Sequence, residues 1–243
     1  MHLRSEQHLD GQIVERRFTL EGIPGIVWTP QPAPEAVPLI LMGHPGGLRE
    51  MYPRLLGRVR HAICCGFAAA AIEVPGSGDR PRMPVLEGAR TALRQAIQSG
   101  DGVSPDIVDQ LVLPLVDTAV PELQAALDAL LEMPGIRGPV GFSGGIISVG
   151  VRLARIEPRV KAAGLFAGSF IPRQIMAEAH DVVIPVHVLL QWDDEFNDRQ
   201  AALDLFDAFG SQQKSLSANM GGHLGVPGYA GEEATRFFAR HLV

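Results

Sequence analysis

Ser143 lies in the stretch VGFSGGI, with glycine two residues away on each side, at 141 and 145. G-x-S-x-G is the spacing of a nucleophile carried on a sharp strand-to-helix turn. Such a turn crowds the residues two places away, and glycine relieves the crowding. A serine there is pushed out at the carboxyl end of its strand. The helix behind it turns N–H groups and a positive dipole end toward developing negative charge. The plain alternative is an inert serine in a glycine turn, because the chain holds 27 glycines.

A serine hydroxyl is a weak nucleophile until a base takes its proton, and the base is ordinarily a histidine held by a carboxylate. On a strand–turn–helix frame the chain order is serine, acid, histidine. Four histidines follow Ser143: His180, His187, His223 and His241. His187 falls inside an apolar strand-like run and reads as core. His241 falls in a terminal helical turn, where a cation suits the dipole. His180 comes too early in the order. His223, in the glycine-rich loop ANMGGHLGVPG, is the candidate base. The acid is expected just beyond IPVHVLLQ, where the chain reads WDDEFND. Asp193 and Asp194 both lie at that strand's carboxyl end, where open α/β sheets place their sites. Glu195 and Asp198 read as solvated or helix-start residues. Two backbone N–H groups must hold an oxyanion. Gly144, directly after the serine, is one. The loop MGHPGG supplies the other: Pro45 has no N–H, so Gly46 is the candidate, with His44 orienting the loop.

These residues need a frame. Continuous apolar runs such as VPLILMG and FAAAAIEV suit strands buried on both faces, as in a parallel sheet. REMYPRLLGRVRHAICCG has helical spacing and stops at Gly66. Strand-like and helix-like segments alternate from Val37 to the C-terminus. This predicts an α/β protein: a mostly parallel central sheet with helices on both faces. The gap between GLFAG and VVIPVHV is short, so no large cap domain is expected there. Before Val37, QIVERRFTL and IPGIVWTP read as two antiparallel strands, followed by a proline-rich connector, QPAPEA. Pro114 and Pro121 are expected to kink or divide the long helix that Ser104 caps. The whole chain, 1–243, reads as one domain with a small insertion at 79–103.

Composition excludes some classes of function. With 46% hydrophobic and 20% charged residues the chain is an ordinary globular one. Its net charge of −6 with no basic cluster argues against nucleic acid as a partner. The arginines of 49–60 read as a solvated helix face. No apolar run approaches the ~18 residues of a membrane span, so no membrane partner is expected. With no export signal in MHLRSEQHLDGQ and no disulfide pairing, a cytoplasmic location is the expectation. The only cysteines, Cys64 and Cys65, are adjacent. They give no metal-ligand spacing and are expected as buried apolar residues.

The segments ILMGHPGG, AIEVPGSGD, VGFSGG, IPVHVLLQWDD and NMGGH together resemble the α/β-hydrolase superfamily, in its order, over about residues 37–223. GHPGG is similar to the family's His-Gly oxyanion loop, with Pro45 where glycine is usual. IEVPGSGD is similar to its Asp-x-Pro-Gly-x-Gly turn, with Glu73 for aspartate. Setting Gln191 at the glycine of the family's Gly-x-x-Asp puts the acid at Asp194, with Asp193 as the alternative. A serine at 143 resembles the esterases rather than the aspartate dehalogenases or the cysteine dienelactone hydrolases proper. The resemblance to compact serine esterases of the dienelactone-hydrolase-like branch implies acyl transfer on a small ester, thioester or lactone. Ser143 would attack, His223 move the proton, Asp194 orient His223, and Gly46 and Gly144 hold the oxyanion, with no metal or organic cofactor. A binding protein on the same frame, or a hydrolase of carbon–carbon or peptide bonds with the same triad, are the alternatives.

Overall fold

The computed structural model describes residues 1–32, 36–100, 102–168 and 170–243. Residues 33–35 of the expected proline-rich connector lie outside the described residues. Three N-terminal strands, β1 (His2–Leu9), β2 (Ile13–Leu20) and β3 (Ile23–Pro30), form an antiparallel ribbon. β1 was not anticipated. Its residues HLRSEQHL are almost all exposed, so this edge strand has no apolar alternation to betray it.

The parallel part of the sheet is built from β4 (Val37–Gly43), β5 (Ala68–Ile72), β6 (Ile136–Gly144), β7 (Val160–Phe166), β8 (Val186–Gln191) and β9 (Lys214–Asn219). The order across the sheet is β1-β2-β3-β5-β4-β6-β7-β8-β9. β3 pairs antiparallel with β5, and every later pair is parallel. The chain leaves β4 for β5 on one side and comes back to β6 on the other. That reversal opens a crevice beyond the carboxyl ends of β4 and β6.

Two cores flank the sheet. On one face pack α3 (Pro105–Leu131), α4 (Ile147–Ile156), α5 (Arg173–Ala179) and α6 (Arg199–Ala208). On the other pack α1 (Leu48–Cys64) and α7 (Gly228–Leu242), through Leu55, Val59, Phe237 and Phe238. α2 (Glu87–Ser99) lies against α3. Between β7 and β8 the described residues hold one seven-residue helix, α5, and no separate cap domain.

Two expectations change here. Of the kink or division expected at Pro114 and Pro121, division does not occur: α3 is one helix across both. Each proline removes a single ladder donor, and the buried stripe Val112, Val116, Val120, Leu123 spans both. Cys64 and Cys65 are exposed, not buried. They follow the last buried pair of α1, Ala62 and Ile63, where the helix has already left the core.

Glycines let the layers close up around β6. A Cβ on Gly141 would lie 2.8 Å from the Phe238 ring of α7. One on Gly145 would lie 2.6 Å from Gly43 Cα, against backbone that cannot swing aside. Gly145 also has φ +76°. Replacing Gly145 with alanine is expected to destabilise the fold by about 1–3 kcal/mol in urea unfolding, from overpacking and left-handed strain.

Glu157, 3% exposed at the end of α4, accepts from the Arg159 side chain at 2.7 and 2.8 Å, from Arg159 N, and from Gln124. The Arg159 guanidinium foremost, against the opposing effect of burial, holds its carboxyl down at about 2. A lowered acid stabilises the folded chain above the ordinary carboxylate range and loses that contribution as pH falls through the folded value. Glu157→Gln should therefore cost about 2 kcal/mol at pH 6. The gap to wild type should close as urea titrations are repeated down toward pH 2.

Candidate active site

Beyond the carboxyl end of β8 a carboxylate and an imidazole meet. Asp194 Oδ2 lies 2.8 Å from His223 Nδ1. The Asp194 side chain is 2% exposed and that of His223 is 31% exposed. The buried carboxylate also accepts from Phe196 N at 2.9 Å, Asn197 N at 3.2 Å and Asn197 Nδ2 at 2.8 Å. Burial pushes this carboxyl up, and the donors from Asn197, His223 and Phe196 outweigh it, so it sits below its ordinary value. With Nδ1 on the carboxylate, Nε2 is the other ring nitrogen, and it has no hydrogen bond among the described residues. The ring stands edge-on between Phe166, at the end of β7, and Phe196, each with centroids 5.5 Å away.

The loop that bears His223 is tied to the end of β8. Trp192 N donates to Asn219 O at 2.7 Å, and Asp193 N to Gly221 O at 3.2 Å. Gln191 Nε2 donates to Gly222 O at 3.1 Å, one residue before the histidine. Glu195 is exposed, as expected, and it also accepts from His223 N at 3.0 Å. Asp193 is exposed, and among the described residues its side chain makes no hydrogen bond. Asp198 caps α6 by accepting from Gln200 N. His187 is buried with its ring 2.9 Å from Ser215 Oγ, and His241 lies in the last turn of α7.

Ser143 is placed differently from the turn geometry expected of it. It is part of β6, ladder-paired with Met42 on one side and Gly164 on the other. The left-handed backbone falls one and two residues later, on Gly144 (φ +77°) and Gly145 (φ +76°), and α4 begins only at Ile147. The pleat puts Ser143 on the same face as Gly141, toward α7 and α1, while Phe142 enters the opposite core. There Ser143 Oγ accepts from Arg58 Nη2 at 3.0 Å. The same Nη2 also donates to Ser143 O, and Nη1 donates to Gly43 O at 3.0 Å. No hydrogen bond joins Ser143 to His223 among the described residues. Phe166, against which His223 stands, is two residues beyond the Ser143 partner Gly164, or about 6–7 Å further along the strand direction.

Arg58 was read as part of a solvated helix face, and the structure corrects this. It lies on the buried stripe of α1, three residues after Leu55 and four before Ala62. That spacing is the signal by which the sequence could have shown it. With Ser143, Met42, Thr235 and Phe238 it lines a small cavity between the sheet, α1 and α7.

Beyond β4 the loop at 44–47 is braced by His44. Its Nδ1 lies 2.7 Å from Gly46 O and its Nε2 2.8 Å from Ile72 O. Burial pushes this ring below the ordinary imidazole range. Glu73, 5% exposed, accepts from Leu48 N at 2.7 Å and so caps α1, whose N-cap residue Gly47 has no side chain to do so. The N–H of Gly46 makes no hydrogen bond among the described residues and is free to donate. Arg80 pairs with Glu122, and Arg173 with Asp106 and Asp109, so neither is an unengaged charge awaiting a substrate. Among the described residues no group of three His, Cys, Asp or Glu side chains converges as a metal site. No described helix is long and apolar enough to cross a membrane.

No protein-family model and no curated protein matches the chain. Solved structures do. A cold-adapted esterase from an Arctic intertidal metagenomic library superposes with a TM-score of 0.77 at 26% identity, over 100% of both chains. Est1E from Butyrivibrio proteoclasticus, solved with ferulic acid bound, gives 0.67 at 13% identity, over 93% of this chain and 98% of that one. Acetyl xylan esterase 1 from a Thermoanaerobacterium species gives 0.61 at 15% identity, over 98% and 87%. Sheet order, crevice and these likenesses agree: this chain is an α/β-hydrolase by fold, and its likeness runs to the superfamily's esterases.

Proposed function

We propose that this chain hydrolyses a small carboxylic ester, with thioesters and lactones in the same chemical range. The observation that carries the reading is the 2.8 Å contact between His223 Nδ1 and the buried carboxylate of Asp194. A carboxylate so placed fixes the tautomer that presents Nε2 as a base and stabilises the imidazolium once it has taken a proton. Asp194 is the triad acid in this reading, and Asp193 is a solvated neighbour. Ser143 is the nucleophile: its hydroxyl attacks the ester carbonyl and passes its proton to His223. The alcohol leaves with that proton, and water then resolves the acyl-enzyme. Gly46 N–H and Gly144 N–H receive the oxyanion, the first from a loop that His44 and Glu73 hold in shape. The esterases to which the fold is similar support ester chemistry in general. To act in this way, Ser143 Oγ must come within hydrogen-bond reach of His223 Nε2.

That last requirement favours a second reading, a binding protein on a hydrolase frame. Its supporting observation is Ser143 Oγ held by Arg58 within a regular strand.

The two readings separate in one experiment. Under the first, Ser143→Ala abolishes turnover of a short p-nitrophenyl ester and labelling by a fluorophosphonate probe. Wild-type turnover in that variant, or no turnover in the native chain, rejects it. Asp194→Asn is expected to lower kcat by about 10³–10⁴-fold while leaving KM within a few-fold. The pH–rate profile adds a further check. Because Asp194 is held below its ordinary value, it stays ionised well into the acid range. The kcat deficit of Asp194→Asn should therefore persist undiminished into the mildly acid range. A deficit that vanishes there would remove Asp194 from the role of orienting acid.

A further inference from the structure

Arg58 is a cation on the apolar stripe of α1, and among the described residues it has no carboxylate partner. Its neighbours show what an arginine on this helix otherwise does: Arg60 turns outward and pairs with Asp10, and Arg54 is exposed. Burial pushes the Arg58 guanidinium down to about 10. A cation taken from water without an anion needs other oxygens in compensation. Arg58 finds three, Gly43 O, Ser143 O and Ser143 Oγ, at the ends of the neighbouring strands β4 and β6. Glycine at 144 makes the space, since a Cβ there would lie 2.7 Å from Arg58 Nη2.

We propose that Arg58 is a positioning residue for Ser143, one planar fork that fixes the serine rotamer and locks the end of β6 to the end of β4. The proposal rests on the reading of Ser143 as nucleophile. Gly43 precedes the loop that carries Gly46, and Ser143 precedes Gly144. The fork therefore sets the spacing of the hydroxyl and both oxyanion donors together. As acceptor from Arg58, Ser143 Oγ keeps its own hydrogen for a base. The neighbouring cation also favours charge on that oxygen as the proton leaves. Lysine in the same place would be a point charge on a flexible stem, able to satisfy one oxygen well but not all three.

The test measures fluorophosphonate labelling rate, kcat and KM for wild type, Ser143→Ala, Arg58→Lys and Arg58→Ala. The last is assayed with and without millimolar guanidinium chloride, and folding of each variant is followed by urea unfolding. Expected is a drop of about 100-fold in kcat and labelling rate for Arg58→Ala, with KM near wild type, and partial restoration by guanidinium. Arg58→Lys should fall between the two. Wild-type rates in either Arg58 variant, with Ser143→Ala inactive, overturn the proposal and leave the nucleophile in place. A loss in Arg58→Ala that follows its folded fraction and resists guanidinium overturns it too. Should Arg58→Ala not fold, Arg58→Lys decides, an unchanged kcat counting against the proposal. Wild-type turnover in Ser143→Ala removes the nucleophile itself and the proposal with it.

Discussion

A carboxylate taken out of water must be given donors, and the end of β8 is arranged around that demand. Asp194 is almost fully buried and receives hydrogen bonds from two backbone N–H groups, an amide and an imidazole. Without them an ionised group at that depth would cost several kcal/mol. The requirement bends the chain after β8 so that Phe196 and Asn197 fold back over the carboxyl. It also draws the His223 loop across from β9, where Gln191 and Glu195 hold the loop's backbone. Phe166 and Phe196 then limit the ring's tilt. The orientation of His223 thus follows from satisfying one buried charge.

A second buried charge organises the other half of the site, with the opposite sign and a different remedy. Arg58 is compensated by neutral oxygens at the ends of β4 and β6 instead of by an anion. These two strands flank the point where the order of the sheet reverses, so their ends form the floor of the crevice. Close approach of Gly43 and Gly145 is possible only because neither has a side chain. Arg58 braces this floor through Gly43 and Ser143, and Asp194 orients the histidine beyond the end of β8.

Elements buried on both faces could be read from the chain. VPLILMG and AAAAI have no polar residue and suit strands buried on both faces of a parallel sheet, which is what they form. β1 could not be read, because an exposed edge strand is specified by pairing with β2 and not by its own pattern. Asp193 and Asp194 are indistinguishable by type and differ by one place. Which of them faces a histidine 29 residues later depends on a loop path that no local signal encodes. Arg58 was misread because arginine is normally solvated, although its place on the stripe of α1 was visible.

What the sequence determined by itself was the α/β frame and the inventory of reactive groups in their order, since hydrophobic periodicity and glycine spacing are local properties of the chain. Only the tertiary structure decided that His223 belongs to Asp194, that Ser143 lies within its strand and below the turn, and that its hydroxyl rests on Arg58. Those outcomes depend on contacts between segments far apart in the chain: 29 residues separate His223 from Asp194 and 85 separate Ser143 from Arg58. They are settled by which buried charges find partners once the layers have closed.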